Sequence, residues 1–212
     1  QNNAIVSLRT GGYSNIALDG ATVDLKIGGS SKLHVDASGN VGIGSTTISS
    51  YNTNFNDLVV DGGANSGVTV VSGTSGDGTL AFADGTTGNE AYRGYIQYTH
   101  AGDTLKFGAG GALAATIDAS GNVGIGTASP VGLLNVEAAS GNSQLFITVA
   151  DTTSRSQLIF GDSADSNVGG LQYNHTDNSM QFHMANAGEK MRIDSSGDVQ
   201  ARRARSNTAG EV

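Results

Sequence analysis

The chain has no cysteine and no tryptophan, one proline in 212 residues, and only six tyrosines and six phenylalanines. Without cysteine there is no disulfide, no thiolate metal site and no thiol nucleophile, so stability has to come from packing and association. Large side chains supply most of the area that a core buries. With hydrophobic residues at 37%, a single thick core is short of material. A thin fold, or one whose core other chains complete, suits this composition better. Charge is scarce as well, at 14% Asp, Glu, Lys and Arg against about 25% in an average domain. A net charge of −8 with 11 basic residues leaves no broad footprint for nucleic acid. No apolar run approaches the ~20 residues of a membrane span and no signal peptide is present, so membrane insertion is not expected. The sequence starts at Gln1 rather than Met and stops at Val212 without a terminating feature, which suggests a piece of a longer polypeptide.

What the chain does have is glycine, 32 of them, among many Ser, Thr, Asn and Asp. Of its 19 acids, 15 are the turn former Asp. These residues are arranged in repeats. One block occurs three times, as Val35-Asp36-Ala37-Ser38-Gly39-Asn40, Ile117-Asp118-Ala119-Ser120-Gly121-Asn122 and Ile193-Asp194-Ser195-Ser196-Gly197-Asp198. The first two continue as Val-Gly-Ile-Gly at 41–44 and 123–126. Further matches join Leu58 to Leu134, Leu80 to Leu158 and Tyr98 to Tyr173, at offsets of 76, 78 and 75. Between Asp36 and Asp118 the offset is 82, with the six extra residues inside 45–57. Three segments follow: 1–57, the end of a preceding repeat plus an inserted loop at 45–57; 58–133, a complete β repeat; and 134–212, a second, incomplete one.

The blocks read as strands. Lys32 to Asp36 alternates polar and apolar residues, and Lys190 to Asp194 keeps the same phase. Asp36, Asp118 and Asp194 suit the first position of a turn, with Gly39, Gly121 and Gly197 supplying the positive φ that returns the chain. Asn40 to Gly44 is then the return strand, with glycine on alternate positions where another backbone comes close. The third copy reads Val199-Gln200-Ala201-Arg202 instead, so its return strand is expected to pack differently. A second hairpin is expected over Leu171–Met184, with Thr176–Ser179 as its loop and Tyr173 facing Phe182. Its earlier copy would use Ala101–Thr104 and put Tyr98 opposite Phe107. No stretch has helical periodicity. The expected fold is all-β, an extended, repetitive β-hairpin fibre. Hairpins with one apolar face and open edges do not stand alone, so an intertwined homotrimer is expected.

The stretch Ile117-Asp118-Ala119-Ser120-Gly121-Asn122-Val123-Gly124-Ile125-Gly126-Thr127-Ala128-Ser129-Pro130 resembles the repeat of tail-fibre and related virion proteins of tailed bacteriophages, particularly marine ones. Many of those end in an endosialidase-type intramolecular chaperone that assists trimerisation. The close match covers about 30 residues in three blocks, and the internal repeat ties the rest to them. The resemblance implies a virion, extracellular location, a shaft-forming or host-attaching role, and as partners other copies of the chain, other virion proteins and a host-surface glycan. A bacterial surface adhesin or filament is the alternative, and a polysaccharide-degrading tailspike a third reading.

Chemistry is harder to find. His100 precedes Asp103 and His175 precedes Asp177, but both pairs sit beside a turn at equivalent repeat positions, where capping explains them without catalysis. No His-x-His pair suggests an axial metal. Asp-Ala-Ser-Gly-Asn has neither the alternating oxygen ligands of an EF-hand nor the pattern of a calcium β-roll. Val-Gly-Ile-Gly is followed by no helix and no lysine, so it is no phosphate loop. Paired carboxylates, as a glycosidase needs, are not suggested by Asp residues committed to turns. Arg202-Arg203-Ala204-Arg205 resembles a dibasic processing site but reads better as a solvated or acid-paired strand. The expectation is no enzyme, no catalytic residue, no metal and no cofactor. The candidate contacts to a ligand are Tyr51 and Phe55, aromatics among amides in the inserted loop, of the kind that stack on sugar rings.

Overall fold

The computed structural model describes residues 22–184 and 188–201. Its strands are β1 (Val23–Ile27), β2 (Ser30–Val35), β3 (Val41–Ile43), β4 (Leu58–Val60), β5 (Asp77–Phe82), β6 (Gly94–Thr99), β7 (Thr104–Ala109), β8 (Ala112–Ile117), β9 (Val123–Ile125), β10 (Leu134–Val136), β11 (Arg155–Phe160), β12 (Gly169–Asn174), β13 (Ser179–Met184), β14 (Glu189–Ile193) and β15 (Val199–Ala201). Two single 3₁₀ turns, Ile48–Ser50 and Gly88–Tyr92, are the helical elements among the described residues. The fold is all-β, with three mostly antiparallel sheets: β1-β2-β3-β4, β10-β9-β8-β7-β6-β5 and β11-β12-β13-β14-β15. Residues Arg202 to Arg205 lie outside the described part. The chain divides into two compact units, Gln1–Leu80 with Gln97–Ala101, and Ala81–Ile96 with Gly102–Val212.

In the first unit, β1 and β2 are joined through Gly28 and Gly29, both at positive φ (60° and 79°). This is the two-residue turn whose twist matches its strands. The strand β2 pairs antiparallel with β3, Val35 opposite Val41 and Leu33 opposite Ile43. The strand β3 then pairs in parallel with β4, Val41 beside Leu58 and Ile43 beside Val60. Parallel neighbours need a crossover connection, and residues 44–57 make it. The crossover passes over Gly42, where an added Cβ would meet the Ser45 carbonyl and lie 3.1 Å from the Ile48 side chain. Ile48 and Val59 are the buried apolar side chains among the described residues.

The second unit repeats this plan. The strands β7 and β8 are joined through Gly110 and Gly111, again both at positive φ. The strand β9 pairs antiparallel with β8, Ile117 opposite Val123, and in parallel with β10, Val123 beside Leu134. Here the crossover carries Pro130 and passes over Gly124, where a Cβ would lie 2.6 Å from the Thr127 carbonyl. The Val-Gly-Ile-Gly motif thus has a local cause: its glycines leave room for the chain's own return path. Because β4 and β10 bond to the strands before them, the first sheet runs past sequence position 57/58 and the second past 133/134.

The hairpin β12–β13 differs in register from the sequence reading. Its loop is 175–178, so Asn174 pairs with Ser179 and Tyr173 with Met180, while Phe182 faces Leu171. In the earlier copy β6 ends at Thr99 and β7 begins at Thr104, leaving 100–103 as the loop. The last loop residue turns left-handed in both, Asp103 at φ 45° and Asn178 at φ 52°. Asp and Asn tolerate that conformation better than other residues with a side chain, so the loop closes there without a glycine.

Candidate functional site

The strands β11–β15 line up their side chains in rows. Leu158, Leu171, Phe182, Met191 and Ala201 stand side by side across all five strands. Two residues along, Ser156, Tyr173, Met180, Ile193 and Val199 form a second row on the same face, and Phe160, Gly169 and Met184 a partial third. The opposite face carries Gln157, Gln172, Gln181, Arg192 and Gln200.

Burial runs against the usual order. Gln172 and Gln181 are only 4% and 3% exposed, whereas Phe160 is 58% exposed, and Met184 and Val199 are open to solvent with it. The glutamines can be buried because each amide finds a partner. Gln157 Nε2 donates to Gln172 Oε1 at 2.7 Å, Gln172 Nε2 donates to Gln181 Oε1, and Gln181 Nε2 donates to Ser179 Oγ at 2.7 Å. Buried amides paired in this way avoid the desolvation penalty that an unpaired group would suffer. The Arg192 guanidinium bonds Glu189 and Asp177 at the end of the same face, and the Glu189 bond first holds its proton more tightly than usual. The open apolar face is therefore the feature of this sheet that lacks a counterpart. Gly169, between Phe160 and Met184, leaves a groove of about 760 Å³ walled by Leu158, Phe160, Val168, Leu171, Phe182 and Met184.

The turn residues stand together in three equivalent places. Gly39, Gly121 and Gly197 have φ of 89°, 83° and 86°. Each donates its N–H to the Asp carbonyl three residues before it, at 2.9–3.0 Å. The Asp36 carboxylate accepts from the N–H groups of Ser38 and Asn40 and from Asn40 Nδ2. Asp118 repeats these bonds with Ser120 and Asn122, and the Asn122 backbone bond first pulls its carboxyl below the ordinary range. In the third copy Asp198 has no side-chain N–H to offer, and Gln200 Nε2 donates to Asp194 Oδ2 instead, at 3.1 Å. The strand β15 keeps the register of β3 and β9, with Val199 opposite Ile193. The register is kept, but the surroundings differ: β15 is exposed throughout, whereas Gly42 of β3 and Gly124 of β9 are buried.

In the inserted loop, the Tyr51 hydroxyl donates to Asp61 Oδ2 at 3.0 Å, and that bond pushes the phenol's pKa up. Phe55 is 77% exposed. Asn56 is buried and holds the Ile48 carbonyl, so the loop is anchored through Ile48 and Asn56 and presents Phe55 and the partly exposed Tyr51 outward.

The later histidine–acid pair, His175 and Asp177, is not assembled as a relay. His100 and His175 pack edge-on against Tyr98 and Tyr173 with ring centres 4.9 Å apart in both. His175 Nε2 lies 3.1 Å from Ser156 Oγ, while Asp177 binds Ser179 and Arg192. The closest trio the sequence did not suggest is His34, Asp24 and Ser31. Both the hydroxyl and the imidazole Nδ1 bond the same Asp24 oxygen, so the hydroxyl is not activated by the ring. Those bonds, the Ser31 one first, hold Asp24 below the usual carboxylate range. No cluster of three or more metal-ligating side chains occurs among the described residues.

Sequence reading missed two parts of this surface. One is the groove, whose signal was the Gly169-Gly170 pair inside a strand pattern. The other is the stretch Leu145-Phe146-Ile147-Thr148-Val149, which reads as a strand by composition but joins no ladder. No protein-family model and no curated protein matches the chain.

Proposed function

We propose that this chain is a structural fibre segment of a phage tail, one that forms a shaft and takes part in host-surface attachment. The single observation that carries the reading is the exposed apolar face: Ile48 and Val59 are the buried apolar side chains among the described residues, while Leu158, Phe160, Phe182, Met184, Ile193 and Val199 of one sheet stand open. Ordering a backbone costs about 1–2 kcal/mol per residue, which two buried aliphatic side chains do not offset. Association with further copies supplies the missing burial, so folding and assembly are coupled. A homotrimer fits, because three chains cover one another's faces around an axis and leave no sheet edge free. The resemblance of the 117–130 block to phage fibre repeats supplies the virion setting.

Host contact falls to the inserted loop. Phe55 and Tyr51 stand beside Asn52 and Asn54, an apolar ring flanked by amides, which is the chemistry that recognises a sugar. The role is binding, with the loop displayed on the shaft.

Sedimentation and negative-stain imaging of the purified chain test the reading. Elongated particles of several chains that withstand detergent are expected. A monodisperse monomer that melts cooperatively would end it.

A further inference from the structure

Residues 144–149 run without joining any ladder. Leu145 and Ile147 line a cleft of about 270 Å³ together with Leu158, Leu171, Tyr173 and Met180, and so turn toward the apolar face of their own sheet. Side chains alternate along an extended backbone, so Phe146 turns the other way, and it is 76% exposed. The chain thus carries an aromatic ring that it cannot seat, and beside it a groove over Gly169 that its own Phe146 faces away from.

We propose that Phe146 of a second copy of this chain seats in the groove over Gly169, an inference that rests on the self-association reading above. The groove is walled by Phe160, Phe182 and Met184, which offer ring-to-ring and sulfur-to-ring contacts to an incoming aromatic. The segment 144–150 holds no charged residue, and the groove walls are apolar apart from Asp162 and His183 at the margin. A charged partner is therefore not called for, and an apolar knob is. Taking ~200 Å² per ring, the exposed parts of Phe146, Phe160 and Phe182 come to roughly 300 Å². Leu158 and Met184 bring the total over both partners to roughly 500 Å², a part of the ~1,600 Å² total of a stable interface, so the contact is one element of a larger association.

The preceding repeat has exposed apolar residues at comparable places. Val68, Val70 and Val71 are exposed and outside any ladder, with Val70 beside Gly78 at the start of β5. Phe82 stands against Gly94, 3.4 Å from where a Cβ would be, as Phe160 stands opposite Gly169.

The absence of native cysteine makes the test direct. Chains carrying Phe146→Cys and Val168→Cys, with tags of different mass, are co-expressed and treated with a short bis-maleimide. A single thiol per chain cannot link within the chain, so a product of mixed mass reports contact between copies. The mixed product is expected in large excess over that from Phe146→Cys paired with Gly132→Cys, whose glycine stands in open space. An oligomer with no such excess overturns the seating of Phe146 but leaves self-association standing. A chain that sediments as a monomer overturns both. An oligomer whose groove still takes up an anilinonaphthalene dye, without the mixed product, means that no second copy fills it and also overturns the inference.

Discussion

The Tyr95 ring lies across Gly108, so close that a Cβ on the glycine would fall inside the ring's van der Waals envelope. At the matching positions of the next repeat, 75 residues on, the order is reversed: Gly170 is opposite His183. Each hairpin sets one ring-bearing residue opposite one glycine on its polar face, on exchanged strands, and a Cβ on Gly170 would first meet the Leu158 carbonyl of the neighbouring strand, at 2.6 Å.

The first prediction follows from that exchange. Gly108→Ala forces the Tyr95 ring aside and is expected to cost about 1–3 kcal/mol, the usual range for overpacking. The double variant Tyr95→Gly with Gly108→His copies the later hairpin and is expected to recover most of that loss. Denaturant melts at one fixed protein concentration check both, because stability of an associating chain depends on concentration. A double variant no better than the sum of its parts would show the two positions to be uncoupled.

The second concerns the turn glycines. Gly121 sits at φ 83° with open space around its Cβ position, so Gly121→Ala is strained by backbone alone. The expected loss is about 1 kcal/mol or somewhat more. Gly132 also has open space but no positive φ, and Gly132→Ala is expected to be neutral or slightly stabilising. Equal effects in thermal melts would contradict the assignment of strain to the turn.

The sequence made the strands visible where polarity alternates and where glycine marks the return, as at Lys32–Gly44. It hid what glycine does not mark. The loop after β12 turns on Asn178 rather than on a glycine, and a loop placed one residue too late shifts Tyr173 from Met180 onto Phe182. The parallel pairing of β3 with β4 and of β9 with β10 was invisible too, because nothing in Leu58–Val60 or Leu134–Val136 states which neighbour it will join. Residues 144–149 have strand composition without a ladder, and composition cannot say whether the partner strand belongs to the same chain.

The third prediction concerns acid. The Ser154 hydroxyl first, then the N–H groups of Thr153 and Ser154, hold the Asp151 carboxyl at about 2. The unfolded chain titrates near the ordinary value of about 3.9. A depressed folded value means that the stabilisation is complete above about 4 and is lost as pH falls toward 2 and below. Asp151→Asn is therefore expected to melt below the unaltered chain at pH 6, and the gap is expected to close by pH 2. A gap that stays constant across this interval would show that the carboxylate's charge contributes nothing.

The fourth prediction sets two equivalent strand positions against each other. Gly124 stands opposite Thr116, and Gln200 stands opposite Arg192 in the same register. At Gly124 the crossover to β10 passes over the strand, with the Thr127 methyl 2.9 Å and the Pro130 ring 3.5 Å from an added Cβ. Gly124→Ala must push that backbone away and is expected to cost about 1–3 kcal/mol, with loss of the β9–β10 pairing as a specific sign. Amide exchange at Val123 and Glu137, whose N–H groups bond Leu133 and Ile125 across that pairing, reads this out. At Gln200 the side chain serves a different end, donating to Asp194. Gln200→Ala is expected to lose only that bond, roughly 0.5–1.5 kcal/mol, with β14–β15 exchange protection little changed. If Gly124→Ala left the Val123 and Glu137 amides as protected as before, the glycine would not be there to admit the crossover. The recurrence of Val-Gly-Ile-Gly would then need another physical cause.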